Sequence, residues 1–524
     1  MEGNLRYPLS TASFEKIREN DNVYVDKTSY IHSLTKLEKN PYIFLARPRR
    51  FGKSLLLDTI ANYFEGRREL FKGLAIDTLQ PEEWEHFPVL RFNLSGGIYN
   101  SENALIDHLN VMLSRMEKTF NVECVSNAVS SRFENLVISI AEKWGKNVVI
   151  LIDEYDIPFS DNIGRPELQE LFREQLHGFY SVLKKVDNYT RFCMLTGVTR
   201  YGKVSVFSGI NNLDDITFDD RYAGLCGITE EELHKHYDKG VKALAEKKGL
   251  TVGEAYDLLK FHYDGYHFSE SLLDVYNPYS INHALEKLSI RGYWTETGAP
   301  TIFIKYLMES DYDLEELNGV RVDQSGLSNL SISTTDPIPL FFQTGYLTLK
   351  TYDEENELFT LGYPNREVET GILKNILGEY VPSKKIKIAS TIADLNTCLK
   401  KGDPEGFIQY LKIYLSGIPQ PLHVNVGKYE NYYHTILYCL LDLVGVKVDA
   451  EFSTANGFID LLVRTSDYIY VIELKVNGTA EDAIKQIARK QYGLQFANDS
   501  RKLYKIGLGF SKETNNIETS IVEL

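Results

Sequence analysis

A short basic run, Arg47–Ser54, carries the residue types that bind phosphate groups. Its sequence, Arg-Pro-Arg-Arg-Phe-Gly-Lys-Ser, ends in the Gly-Lys-Ser of a phosphate loop, with an apolar strand before it and a helical pattern after it. In such a loop Gly52 lets backbone amides point at the phosphates, Lys53 reaches the terminal phosphates, and the Ser54 hydroxyl coordinates Mg²⁺. The run therefore predicts a nucleotide site that includes a magnesium ion.

Arg47 occupies the position where the general pattern has its first glycine. An arginine tolerates fewer backbone conformations than glycine, so the loop must begin without a positive φ at this residue. We expect the guanidinium groups of Arg47, Arg49 and Arg50 to add contacts to the phosphates. The alternative is a basic strand-to-helix loop that binds no ligand.

A second run ends an apolar strand, Val148–Ile152, with two acids, Asp153 and Glu154. At the edge of an NTPase sheet, an acid in the first position binds Mg²⁺ and one in the second lies where the attacking water sits. The two acids follow the phosphate loop at the distance that such a sheet requires. Nucleotide binding is therefore favoured over a loop without a ligand.

A third apolar strand, Arg191–Gly197, ends in polar residues. In nucleotide-hydrolysing sheets of this kind, a polar side chain at this strand end senses the γ-phosphate, which makes Thr196 or Thr199 a candidate. Arg200 is a further candidate for phosphate contact. Ordinary turn chemistry is the alternative for all three residues.

Near the C-terminus, acids and a lysine fall on two successive predicted strands. Asp460 lies in the strand Phe458–Arg464, while Glu473 and Lys475 lie two positions apart in the strand Tyr468–Val476. Residues two apart in a strand share a face, and antiparallel pairing would bring Asp460 beside Glu473. An Asp and a Glu can hold Mg²⁺ while the lysine orients or activates the attacking water.

A predicted helix before these strands adds one more candidate ligand. Glu430 lies in its first turn and is a further metal ligand in this interpretation. His434, one helical turn later, can also be read as a ligand, but a partly buried helix histidine is the favoured interpretation.

The composition limits the classes of partner and compartment. The net charge of −16 would repel a phosphate backbone at long range, so contact with nucleic acid needs a local basic patch or metal ions. Five scattered cysteines without a Cys-x-x-Cys pair argue against a disulfide framework and a structural zinc site. The sequence has no run of about eighteen apolar residues and no signal-peptide pattern, so we expect no membrane span and a cytoplasmic location.

The elements that would position these residues follow from hydrophobic patterning. Short apolar strands alternate with helical patterns over the first two hundred residues, which predicts a parallel sheet with helices on both faces. A capping-box start at Thr229 opens a mainly helical region. After the break at 417–421, the pattern is one helix, three strands, a helix from Thr479 to about Ala497 and a last strand, Leu503–Phe510.

The N-terminal motifs resemble those of the bacterial AAA-ATPase-like family, over roughly residues 5 to 290. In that family Arg-Pro-Arg-Arg-Phe-Gly-Lys-Ser is the usual phosphate loop, so the resemblance makes Arg47 a family trait. It also implies that Tyr24–Thr28, to which the sequence assigns no chemistry, lies near the nucleotide. The resemblance rests on these segments as well: Leu151–Asp156 with Pro158, Leu195–Val198, Asn211–Thr217, Tyr263–Tyr266 and Val275–Ser280.

The C-terminal pattern resembles the PD-(D/E)XK nuclease fold, over about residues 410 to 515. The resemblance implies that Asp460 and Glu473 are metal ligands, Lys475 the catalytic lysine and Glu430 an accessory acid. It also implies auxiliary roles for Gln486 and Tyr492 on the following helix.

Two features depart from the nuclease pattern and one supports it. The family often has Gly-Arg shortly before the Asp, but here Phe458 follows Gly457. The spacing of Gln486 and Tyr492 puts them on different faces of a helix. A dense basic patch suited to a nucleic-acid backbone lies on that predicted helix, formed by Lys485, Arg489 and Lys490.

We therefore predict an α/β chain with four parts: a P-loop NTPase parallel-sheet domain (1–225), a helical lid (226–300), a mixed connecting region (301–420) and a restriction-endonuclease-like α/β domain (421–524). A winged-helix-like fold is one alternative for the connecting region.

The leading functional hypothesis is an ATP-binding, ATP-hydrolysing enzyme coupled to a Mg²⁺-dependent nuclease domain that acts on nucleic acid, with Mn²⁺ as an alternative metal. The alternative is a nucleotide-dependent switch whose inactive C-terminal domain recruits nucleic acid or protein. The acidic charge and Phe458 favour this second hypothesis. The sequence leaves open whether the chain forms a homo-oligomer.

Overall fold

The computed structural model describes residues 6–9, 11–36, 40–82, 84–200, 213–297, 317–328, 336–380, 387–416, 436–444, 447–454, 457–476, 478–511 and 516–523. The chain divides into two compact units, one formed by Met1–Gly298 with Gly319–Glu369 and the other by Ala299–Asn318 with Thr370–Leu524. Among the helices of the described residues, none is both long enough and apolar enough to cross a bilayer.

A parallel five-stranded sheet forms the centre of the first unit, as the alternating pattern predicted. Its order is β2-β3-β4-β1-β5, and the paired strands run parallel throughout. The strands are β1 (Tyr42–Ala46), β2 (Val89–Asn93), β3 (Val148–Asp153), β4 (Thr190–Gly197) and β5 (Asp214–Asp215). Strands β1 and β3 are buried along their whole length, which explains their unbroken apolar sequences.

Helices surround this sheet and bury one apolar face each against it or against one another. The longest two, Ala104–Phe120 and Val129–Trp144, end at residues in the left-handed conformation, Asn121 and Gly145. The helices of this part are Phe14–Glu19, Thr28–Leu34, Lys53–Phe64, Ala75–Leu79, Ala104–Phe120, Val129–Trp144, Ile157–Ser160, Pro166–Tyr180 and Val182–Lys185.

A helical lid follows, and it begins with the capping box predicted at Thr229. The Thr229 hydroxyl accepts from the Glu232 backbone N–H, and the Glu232 carboxylate accepts from the Thr229 N–H. Two short strands, β6 (Ile228–Thr229) and β7 (Val275–Tyr276), pair antiparallel at its base. The lid helices are Glu230–Lys248, Val252–Tyr263, Pro278–Lys287 and Tyr293–Glu296.

The first unit ends in a small antiparallel sheet, which we call the hairpin segment (residues 319–328 and 336–369). Its strands are β8 (Arg321–Val322), β9 (Thr348–Asp353) and β10 (Leu358–Gly362), in the order β8-β10-β9. Two short helices, Gln324–Ser328 and Ile338–Thr344, lie between β8 and β9 in the chain. The winged-helix alternative for residues 301–420 stays a prediction.

The second unit carries a mixed five-stranded sheet in the order β11-β12-β13-β14-β15. Only β13 and β14 run parallel, and the helix Ala480–Arg489 connects them. The strands are β11 (Lys447–Thr454), β12 (Gly457–Arg464), β13 (Tyr468–Val476), β14 (Lys502–Ser511) and β15 (Asn516–Glu523). Further helices are Arg366–Tyr380, Ile388–Lys401, Pro404–Leu415 and, within the described residues, 436–443.

The α/β fold class is confirmed, with two differences in detail. Strand β15 was not predicted, because its sequence alternates only weakly between apolar and polar residues. The helix predicted from Thr479 to about Ala497 ends at Arg489, because Gln491 adopts a positive φ of 52° and turns the chain.

Candidate nucleotide site and candidate metal centre

The phosphate loop connects β1 to the helix Lys53–Phe64 at the carboxyl edge of the parallel sheet. Gly52 precedes the helix with a φ of +94°, a conformation that glycine adopts without strain. Arg50 also has a positive φ, of 67°, although it carries a side chain. Strained backbone next to a free helix N-terminus is a common arrangement at anion sites.

Lys53 turns its ammonium group back over the loop. Its Nζ donates to the carbonyl oxygens of Arg47 at 2.8 Å and Pro48 at 2.9 Å. Burial lowers the pKa of Lys53, and the carboxylates of Asp156 and Asp153 act against this shift. A buried ammonium that has only carbonyl partners gains most from an anionic ligand.

Asp153 ends β3 and is held by the neighbouring strand β4. The buried Thr196 hydroxyl donates to Asp153 Oδ1 at 2.7 Å. Strand β4 lies between β1 and β3 in the sheet. Asp153, at the end of β3, is therefore separated by one strand from β1, which leads into the phosphate loop. The predicted γ-phosphate sensor therefore orients Asp153 in this structure.

Glu154 adopts a left-handed backbone conformation with a φ of 54°. Such a conformation costs a residue with a side chain about 1–3 kcal/mol, and it recurs at active sites. Burial, followed by the nearby Asp153, raises the pKa of Glu154, and Ser95 bonds to its side chain. A carboxyl group in this state is suited to accept a proton from a water molecule.

Asp156 is a site residue to which the sequence assigned no role. It is fully buried and accepts hydrogen bonds from the backbone N–H groups of Val198 and Thr199 and from the Thr199 hydroxyl. Thr199 thus ties the end of β4 to the turn after β3, instead of facing the loop. The position of Asp156 at the end of the motif Leu151–Asp156 was the one sequence feature that pointed to a role for this residue.

Two arginines predicted to contact phosphate have other partners. The Arg47 guanidinium is 1% exposed, donates to the carbonyls of Ala46, Thr217 and Tyr222, and lies 4.2 Å from the centre of the Phe268 ring. It therefore supports the loop from behind, which corrects our prediction of a phosphate contact.

Arg200 is buried and forms an ion pair with Asp215. Its guanidinium also donates to the Ser328 hydroxyl. These contacts hold the guanidinium beside β5 and the hairpin segment, and the phosphate contact of Arg200 stays a prediction. Arg49 and Arg50 remain exposed on the loop, with the Arg50 guanidinium 5.0 Å from the Tyr279 ring centre.

A largely apolar cleft adjoins Gly52 and the first turns of the loop helix. One wall comes from the N-terminal segment that includes Val23, Tyr24 and Val25, and another from the lid residues Pro278 and Asn282. Asn282 is 6% exposed, and its Oδ1 accepts from the Tyr237 hydroxyl at 3.0 Å.

In the second unit, antiparallel pairing of β12 and β13 brings the predicted acids together. The pair Leu461–Ile472 lies next to Asp460 and Glu473 in the register. Asp460 Oδ2 accepts from the Leu474 N–H at 2.7 Å, and Lys475 Nζ lies 3.1 Å from Glu473 Oε1. These three predicted side chains, Asp460, Glu473 and Lys475, therefore form one cluster.

Glu473 is fully buried in this cluster. Burial, followed by the charge of Asp460, raises the pKa of Glu473 to about 7. Its Oε2 has no hydrogen-bond partner among the described residues. A buried carboxylate oxygen without a donor fits a cation, since a divalent ion would supply the missing partner.

Gln486 and Tyr492 meet at this cluster, contrary to our expectation that they face apart. Gln486 Nε2 donates to Glu473 Oε1, and the Gln486 side chain also bonds to Tyr492. The expectation assumed one continuous helix. Because the helix ends at Arg489, the following turn brings the buried Tyr492 back beside Gln486.

Two further predicted positions, Glu430 and His434, lie outside the described residues. Within the described parts of the chain, no group of three or more Asp, Glu, His or Cys side chains is arranged to hold a metal ion. A metal ion at Asp460 and Glu473 would therefore need additional oxygen donors, and water commonly supplies these to Mg²⁺.

Comparison with known proteins agrees with both halves of this description. A family model described as a predicted AAA-ATPase matches residues 8–207, and a PD-(D/E)XK nuclease superfamily model matches residues 428–520. The chain is also 33% identical over 528 residues to an uncharacterised protein from the vnfD 5′ region of Azotobacter chroococcum mcd 1, with 99% of each chain covered. The chain belongs to the AAA-ATPase-like family.

In this AAA-ATPase-like chain, the residues around the candidate nucleotide site differ in how clearly the sequence indicated them. The Gly-Lys-Ser and Asp-Glu motifs identified the nucleotide half directly. The cleft residue Asn282 had no comparable motif, because it reaches the site from a lid helix more than two hundred positions after the loop. Only the segment Val275–Ser280 just before it, part of the family resemblance, pointed to that region.

Proposed function

We propose that this chain binds and hydrolyses ATP and that nucleotide binding controls a Mg²⁺-dependent nuclease domain acting on nucleic acid. The observation that carries the proposal is the cluster of Asp460, Glu473 and Lys475, with its orphaned Glu473 Oε2, in a chain that also has a phosphate loop. The domain bounds 1–225, 226–300, 301–420 and 421–524 are part of the same proposal.

In the nucleotide half, each proposed role has a physical basis. Lys53 would exchange its two carbonyl contacts for the terminal phosphates, and the exposed Arg49 and Arg50 would add charge at the rim. Ser54 and Asp153 would hold the Mg²⁺ that accompanies ATP, and Glu154 would take a proton from the attacking water. Thr196 would fix the Asp153 carboxylate.

The cleft beside Gly52 would take the adenine base. Its apolar walls suit the faces of a purine ring, and the amide of Asn282, which lines the cleft, would donate to a ring nitrogen. This would give Tyr24 and Val25, from the segment Tyr24–Thr28 whose role the sequence left open, a place in nucleotide binding.

In the nuclease half, the described residues would bind the metal and orient water. Asp460 and Glu473 would be ligands of Mg²⁺, or of Mn²⁺, with Glu430 as an accessory acid. A metal bound there supplies an activated water and stabilises charge on the phosphate. Lys475 would orient that water, and Gln486 would keep the Glu473 carboxylate in place.

The test uses the purified full chain with supercoiled plasmid and linear DNA, in Mg²⁺ or Mn²⁺, with and without ATP. We expect metal-dependent cleavage that responds to ATP, is lost in Lys475→Ala, and persists in Lys502→Ala, which removes an exposed lysine from the neighbouring strand β14. Lys53→Ala should abolish the response to ATP, and Glu154→Gln should bind ATP but hydrolyse it slowly.

Absence of cleavage under all conditions, or equal cleavage by Lys475→Ala and the wild type, would overturn the nuclease half. If ATP is still hydrolysed, the nucleotide-dependent switch with an inactive C-terminal domain becomes the better explanation. Absence of ATP binding in the wild type would overturn the nucleotide half independently.

A further inference from the structure

The helix Ile338–Thr344 of the hairpin segment is buried along its entire length. All seven residues are buried. The first five are apolar, and Gln343 and Thr344 follow them at the end of the helix. A helix that reads a DNA groove must present an exposed polar face. This helix presents no such face, so we expect it to act through contacts within the first unit. Gln343 is its one amide side chain.

Gln343 uses both ends of its amide. Its Oε1 accepts from the Arg200 backbone N–H at 2.6 Å, and its Nε2 donates to the Leu327 carbonyl at 2.7 Å. Gln343 therefore bridges Arg200, three residues beyond the end of β4, and the other helix of the hairpin segment. A buried amide that is hydrogen-bonded at both ends favours one arrangement of its neighbours.

The residue that Gln343 holds, Arg200, follows the strand that supports the two acids Asp153 and Glu154. Thr196 bonds to Asp153, and Thr199 bonds to Asp156 in the turn that contains Glu154. Arg200 follows Thr199 directly. A shift of Gln343 would thus move the backbone that positions Asp153 and Glu154.

The same helix also contacts the phosphate loop. It ends at Gly345 with a φ of +89°, where an added Cβ would lie 2.7 Å from Pro48. The Phe342 ring stacks on Phe218 at a centroid distance of 5.8 Å, just beyond Thr217, whose carbonyl holds Arg47. A displacement of Pro48 in the loop, or of the segment Thr217–Phe218 that holds Arg47, would therefore also displace this helix.

We propose that Gln343 is a positioning residue for ATP hydrolysis and that the hairpin segment responds to the nucleotide through it. The proposal rests on the proposed ATPase function. It gives a residue-level role to part of the connecting region, which has no catalytic motif of its own. Gln343 touches neither nucleotide nor metal in this account and acts only through Arg200 and β4.

The test compares Gln343→Met, which keeps the side-chain length but loses both hydrogen bonds, with Gln343→Glu, which keeps the oxygen that accepts from Arg200. Thr344→Val is the matched control, since the Thr344 hydroxyl bonds only to carbonyls within its own helix. We expect Gln343→Met to lower kcat about tenfold or more, with the Kd for ATP changed less than about threefold. Gln343→Glu should regain part of kcat, and Thr344→Val should match the wild type.

Hydrogen exchange gives a second readout. In the wild type and Thr344→Val, ATP should slow exchange in residues 338–353, and in Gln343→Met this response should be lost. Unchanged kcat in Gln343→Met, equal losses in Thr344→Val, or parallel losses of kcat, ATP affinity and thermal stability would overturn the inference. A wild type that binds no ATP would instead overturn the proposed function on which it rests.

Discussion

Several carboxyl groups in this chain are buried, and burial opposes their ionisation. Burial raises the pKa of Glu154 and of Glu473, and both are proposed to act on water or metal. A third such group, Asp264, lies in the lid and has no place in either site. It is 2% exposed, and neither carboxylate oxygen has a hydrogen-bond partner among the described residues.

The Asp264 carboxyl should make the first unit less stable as pH rises. Burial raises its pKa to about 7, and the like charges of Asp274 and Glu230 add to this, while Lys260 at 3.7 Å opposes it. Between about pH 4 and 7 the folded state then binds a proton that the unfolded state has released, so stability falls across this range. Asp264→Asn should flatten that slope and raise stability at pH 8 by roughly 1–4 kcal/mol.

Thermal unfolding of Asp264→Asn and the wild type at pH 5 and pH 8 measures this effect. Asp214→Asn, at an exposed position in β5, is the control and should leave the pH dependence unchanged. A slope that is the same in all three proteins would contradict the prediction.

A cleft-filling substitution tests the proposed adenine site. Val25→Trp should occupy the space beside Gly52 and weaken ATP binding about tenfold or more, while the affinity for tripolyphosphate, which has no base, stays within about threefold. Titration calorimetry with both ligands distinguishes these effects. Val252→Trp, at an exposed valine on a lid helix, should change neither affinity; a loss of both affinities in Val25→Trp would argue against a base site.

At the scale of helices and strands, the sequence predicted the positions of the strands but not their order in the sheet. The strands β1, β3 and β4 were predicted to within a residue or two because each contains a run of apolar residues, which is typical of a strand covered on both faces. Strand order was not predictable from the same runs. The insertion of β4 between β1 and β3 depends on connections that periodicity does not report.

Side-chain direction was the least predictable part of the sites. The sequence gives the charge of Arg47 and Arg200 but not their partners, since the carbonyls and the carboxylate that bind them come from Thr217, Tyr222 and Asp215. Asp460 and Glu473 were more predictable because strand periodicity and a short connection fix their pairing.

The helix ending at Gly345 supports the phosphate loop through a contact that leaves no space for a side chain. Gly345→Ala should cost about 1–3 kcal/mol of stability from backbone strain and also weaken ATP binding, because the new methyl group would displace Pro48. Gly249→Ala is the matched control, with a φ of +68° and open space around it. It should show the strain but keep the ATP affinity; equal ATP affinity in both variants would contradict this argument.

For the molecule as a whole, charge distribution decides how it could meet nucleic acid. The net charge is −16, so binding must depend on local basic groups such as those of the helix Ala480–Arg489. Lys485 and Arg489 are exposed on this helix, which also carries Gln486 of the metal cluster.

Removing the charges of Lys485 and Arg489 should weaken DNA binding, and it should also make the remaining binding less dependent on salt. Each phosphate contact contributes about 0.9 to the slope of log K against log salt on duplex DNA, so Lys485→Ala with Arg489→Ala should lower the slope by up to about 2. Fluorescence anisotropy over a salt series, in Ca²⁺ to prevent cleavage, measures it. The same change at Lys235 and Lys239, exposed on a lid helix, should leave the slope unaltered.

The buried Arg47 has a consequence for protein engineering. A consensus design would restore glycine at this position, since glycine is what the general phosphate-loop pattern has there. Here that repair would remove the donor to three backbone carbonyls and leave a void against Phe268. The residue that looks like a defect in the motif is the one whose correction the fold would tolerate least.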